Sequence, residues 1–145
     1  MRLLRTKRLA LTVAAALAAA CGGSSTEPST VATPAATITT ETFTGTVQLG
    51  GTNVHTFTVT TPGQLIVTMT AAGPPATITM GLGLGNPNAA GNCIFLAGGT
   101  TLGVASATTP HLSGSLTASG AYCVAIADVG NAAGPIAYSI TVSHT

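Results

Sequence analysis

The chain has 145 residues, enough for one domain with flanking segments, and combines 46% hydrophobic with only 5% charged residues. All four basic residues (Arg2, Arg5, Lys7, Arg8) lie at its start; beyond Cys21 the only charged residues are Glu27, Glu41 and Asp128, a formal charge of −3. With no cation there to neutralise phosphates, nucleic acid is excluded as an expected partner, as is electrostatic docking on anionic lipid.

In chain order, the basic start is followed by the uncharged apolar block Leu9 to Ala20, 12 residues long. A spanning helix needs about 20. A basic region, a short Ala/Leu core and small residues before a cut are the pattern of a secretory signal peptide, here residues 1–20. Its end, Leu17-Ala18-Ala19-Ala20-Cys21, resembles the lipobox of bacterial lipoproteins. That resemblance implies cleavage before Cys21, a diacylglyceryl group on its thiol and acylation of the new amine. Ala18 departs from the pattern, which usually has a large residue there; Leu17 stands one step further out. The competing reading is ordinary signal-peptidase cleavage that leaves Cys21 as an unpaired thiol. Cysteine arithmetic favours the lipid: three cysteines are odd, and setting Cys21 aside leaves the even pair Cys93 and Cys123. The expected location is therefore the bacterial cell envelope, with the membrane as partner through the lipid on Cys21. Gly22 after the cysteine resembles lipoproteins released to an outer membrane where one exists.

Residues 21–40 are rich in Gly, Ser, Thr, Pro and Ala and read as a flexible tether, because such a segment buries too little apolar surface to offset its ordering entropy. From Glu41 the period becomes two. Phe43, Gly45, Val47 and Leu49 alternate with Thr42, Thr44, Thr46 and Gln48; His55, Phe57 and Val59 alternate with Thr56, Thr58 and Thr60. Similar runs follow at Leu65 to Met69, Ile78 to Leu84, Leu112 to Leu116, Tyr122 to Ile126 and Ile136 to Val142, separated by Gly-, Pro- and Asn-rich turns. Short alternating strands with regular turn signals predict an all-β, antiparallel β-sandwich of jelly-roll or Greek-key type over 41–145. Asn86 to Pro110 breaks the alternation and is expected to be one long excursion with a short strand at Cys93 to Leu96.

"SGSLTASGAYCVAIADVG", with its Gly120-x-Tyr122 after a turn, and the last strand "PIAYSITV" resemble the bacterial pre-peptidase C-terminal domain. "TGTV…NVHTFTV…PGQLIVTM" is similar to that family's first strands, so the likeness spans Thr44 to Val142. The resemblance implies a jelly-roll sandwich serving as a secreted, non-catalytic accessory module. Two departures stand out. No catalytic domain precedes it, and the acids often found midway in the family are missing around Ile78 to Leu84, so its calcium sites have no carboxylates to carry over.

In an exported chain Cys93 and Cys123 are expected to form a disulfide, with a metal pair the rival. Cys123 has the parity opposite Tyr122 and Val124, so the bridge would pin 86–110 onto the outer side of that strand. His55 shares the parity of Phe57 and reads as structural; His111 starts a strand, and His144 is expected in a frayed terminus. A three-histidine metal site would need all three to converge. No G-x-S-x-G elbow accompanies Asp128, which is expected to cap a turn, and Glu41 and Asp128 are the only acids available as a carboxylate pair. No enzyme activity, metal or cofactor is expected. With no Trp and both Tyr122 and Tyr138 on apolar parities, no aromatic platform for a sugar is apparent. The T-x-T runs resemble ice-binding ladders, but irregular turn spacing and the high β-propensity of Thr favour an ordinary outward face. Two readings follow: a lipid-anchored, non-catalytic, monomeric interaction module with an envelope protein or glycan as partner, or a small-ligand or glycan-binding module using the 86–110 loop.

Overall fold

The computed structural model describes residues 35–145; the expected signal peptide, Cys21 and most of the expected 21–40 tether lie outside them. These residues form eight strands: β1 (Thr39–Val47), β2 (Thr52–Val59), β3 (Gly63–Gly73), β4 (Thr79–Pro87), β5 (Cys93–Val104), β6 (Leu112–Leu116), β7 (Gly120–Asp128) and β8 (Ile136–His144). Among the described residues there is no helix. The first sheet has the order β1-β8-β3-β6 and the second β2-β7-β4-β5, with every pairing antiparallel. The pairs β1·β8, β2·β7, β3·β6 and β4·β5 are successive rungs of one ribbon rolled into two layers, the jelly-roll wiring. The all-β sandwich is thus the architecture observed, with β1 starting at Thr39, two residues ahead of the expected boundary.

Period-two patterning explains the layers. Val47, Val67, Met69, Ile140 and Val142 of the first sheet meet Phe57, Met80, Leu82, Val124 and Ile126 of the second in one buried core. Within β3 the pattern slips where a bulge between Met69 and Ala71 re-phases the strand so that Ala72 again points inward. Leu49, placed on the inward parity of the first run, falls in the β1–β2 turn and is exposed.

The 86–110 region differs from expectation. β4 continues to Pro87, Asn88 closes a short turn by accepting from the Ala90 and Asn92 amides, and β5 is a strand of 12 residues. It reads as irregular because it is an edge strand that buries few side chains. Its pairing with β4 also shifts between Gly83 and Gly85, opposite a Gly98 held at φ 72°, so no single parity survives along it.

Candidate functional site

The outer faces of the two sheets are chemically unlike. On the first, rows such as Thr42–Thr141–Thr68 present hydroxyls, some bonded across strands: Thr40 Oγ1 and Ser143 Oγ lie 2.8 Å apart, and Thr70 Oγ1 donates to the Ser139 carbonyl at 3.2 Å. On the second, β4 turns Gly81, Gly83 and Gly85 outward between Thr79 and Pro87 at its ends, and β7 turns Ala121, Cys123, Ala125 and Ala127 outward. Register places Thr52–Ala127–Gly81–Leu102 in one row and Val54–Ala125–Gly83–Thr100 in the next. Low side chains in the middle and taller ones on the edge strands make a trough of about 240 Å³. Gly81, Gly83, Ala125 and Ala127 form its floor, and Thr52, Phe95, Thr100 and Leu102 stand around it.

The disulfide builds one end of this trough. Cys93 and Cys123 are bonded, with Cα atoms 5.8 Å apart. Cys123 does face outward as its parity requires, yet it is fully buried, because the start of β5 is laid over it. Gly85 makes that crossing possible: a Cβ there would sit 2.1 Å from the Ile94 carbonyl oxygen. One step on, a Cβ on Gly83 would meet the Phe95 ring at 2.3 Å, so the ring lies directly on the glycine. Phe95 nevertheless stays 49% exposed and Leu102 66%; with Val104 and Val129 they form an apolar rim without any charge. The signal for this surface was present in "TMGLGLG": where β1, β2 and β3 carry Thr on their outward parity, this strand follows Thr79 with Gly81, Gly83 and Gly85, and Gly weakens a strand and marks a close approach.

His55, His111 and Asp128 lie apart, each bound to its own partners, and His144 pairs with Glu41. His55 stacks on Phe43 (centroids 4.9 Å apart, 14° between planes), and its Nε2 lies 2.6 Å from the Tyr138 hydroxyl, which also accepts from Asn53 Nδ2 at 3.0 Å. Desolvation by this packing holds the imidazole below its ordinary 6.5. Tyr138 in turn fills the space over Gly45, its strand partner, where a Cβ would sit 2.6 Å from the hydroxyl.

His111 accepts from the Met69 amide at Nδ1 (3.2 Å), and its Nε2 donates to the Val104 carbonyl (2.9 Å), tying β3 to the end of β5. His144 is not frayed. It is 3% exposed, paired with both Thr39 and Leu65, packed on Phe57, and its Nε2 lies 3.1 Å from Glu41 Oε1. The alternating pattern runs through it, and β8 is covered on both sides.

Asp128 caps a turn. Its Oδ1 accepts from the Gly130, Asn131 and Ala132 amides and its Oδ2 from Gly50 at 2.8 Å, which fastens the β1–β2 turn. These amides, that of Gly50 foremost, hold the carboxyl below its ordinary 3.8 against an opposing effect of desolvation. Tyr122 is buried and donates to the Ala118 carbonyl at 2.9 Å. Among the described residues no three His, Cys, Asp or Glu side chains come together, so His55, His111 and Asp128 do not form one constellation. No family model matches the chain, and no curated protein matches it.

Proposed function

We propose that the protein is a non-catalytic, lipid-anchored module of the bacterial cell envelope, held by a lipid on Cys21 and presenting the trough of its second sheet as a binding surface. The observation that carries the binding half is the contrast between the two outer faces: one carries mostly hydroxyls, with Ile38 and Ile66 beside Gln64 and Ser143 at one end, the other a Gly/Ala floor rimmed by exposed Phe95 and Leu102. Exposed contiguous apolar surface of this kind marks interaction sites. The lipobox-like run ending at Cys21 and the tether after it support the anchoring half. Absence of catalysis fits the chemistry of the domain: each histidine and Asp128 is engaged in structural hydrogen bonds, and general acid–base work needs a group free to reach a substrate.

The 86–110 region carries the second reading, a small-ligand module, because β5 supplies Phe95, Thr100 and Leu102 to the trough. Fractionation tests the first half. The wild-type chain is expected with membranes and Cys21→Ala in the soluble fraction; a Cys21→Ala chain that stays with membranes sinks the anchor.

A further inference from the structure

Taking the trough as the working surface, we infer that it holds a small, neutral, apolar ring compound. Size is the first argument. An apolar cavity of about 150 Å³ takes one benzene ring, so about 240 Å³ has room for a fused or linked pair.

Charge is the second. No charged residue lies between Glu41 and Asp128, and the Asp128 carboxylate is taken up by four amides. An anion here meets no cation, and a cation meets no free carboxylate. Polarity is the third. The floor is Gly and Ala, whose backbone groups belong to the sheet ladders, so only threonine hydroxyls at the rim remain to hydrogen-bond. A sugar would leave most of its hydroxyls unpaired there, at a cost for each. Shape is the fourth: a flat floor beside the half-exposed Phe95 ring, itself fixed by Gly83 and the nearby disulfide, offers stacking or edge contact to a planar ligand.

The test uses the full exported chain carrying Cys21→Ala, so that no acyl chain competes, with N-phenyl-1-naphthylamine as neutral fluorescent probe and 8-anilinonaphthalene-1-sulfonate as its anionic counterpart. The neutral probe is expected to saturate at one per chain and to be displaced by naphthalene, with the sulfonate at least about tenfold weaker. Ala127→Leu, which fills the trough from its floor, and Leu102→Ser, which removes a wall, are each expected to weaken the neutral probe about tenfold or more while the chain still melts cooperatively. Should Ala127→Leu fail to fold, Leu102→Ser carries the same test. Non-saturating signal, equal affinity for the sulfonate, or unchanged binding in a folded variant overturns the inference. So does a concentration-dependent dimer abolished by Leu102→Ser, which would give the trough to a second copy. If the wild-type chain is membrane-bound but the probe does not bind, only the ligand class fails; if Cys21→Ala leaves membrane association intact, the anchored-module reading fails whatever the probe does.

Discussion

His55 joins the two layers near an open side of the sandwich, since its ring lies on Phe43 of β1 and its Nε2 meets Tyr138 of β8. Its folded-state pKa is lowered, so on acidification the unfolded chain takes up the proton first. The contribution is complete above pH 6.5 and is lost as pH falls through the lower folded value. Asp128 behaves in the same direction at lower pH: its depressed carboxyl stabilises fully above 3.8, and that support is lost as pH falls through the folded value. Chemical-denaturation midpoints against pH are therefore expected to fall in two steps on the acid side. His55→Gln should flatten the first step relative to wild type, and Asp128→Ala the second; an unchanged difference between wild type and either variant contradicts the assignment. Loss of the ring contact and of one partner of the Tyr138 hydroxyl should cost His55→Gln about 1–2 kcal/mol at neutral pH. Gly45→Val should cost about 1–3 kcal/mol by driving Tyr138 out of its seat.

At the scale of elements, β5 shows what the sequence conceals. Seven strands were legible because each buries one parity and carries Thr, Ser, Gly or Ala on much of the other, which made the alternation plain. β5 buries neither face fully and changes register midway, so its residues carry no period to read. The disulfide was legible from the expected compartment and the cysteine count, but the burial of Cys123 was not, because it depends on β5 crossing above Gly85. The trough was half legible: the outward glycines stand in the sequence, whereas Phe95 and Leu102 acquire their places only through the pairing of β5 with β4. Removing the bridge frees a separation of 30 residues, so a Cys93→Ser/Cys123→Ser chain should lose about 3–4 kcal/mol in the chain-entropy model, measurable by urea unfolding. Gly85→Ala should cost about 3 kcal/mol, because the obstacle is the Ile94 backbone and not a side chain able to turn aside. If Gly85→Ala instead proves neutral and still forms the disulfide, the crossing is not as tight as described.

For the molecule as a whole, jelly-roll wiring leaves two outer faces, and this chain treats them differently, with mostly hydroxyls beside Ile38 and Ile66 on one and a shallow apolar trough on the other. A domain with so little charge has no strong long-range field to steer a partner, which fits the proposed anchoring and short-range apolar contact. Attachment through Cys21 is the central proposal, and the intact mass of the processed protein tests it most directly. The expected result is a chain beginning at Cys21 and heavier than its residues by a diacylglyceryl group, with or without a further acyl chain on the amine. A chain beginning at Cys21 or beyond with no added mass would contradict it.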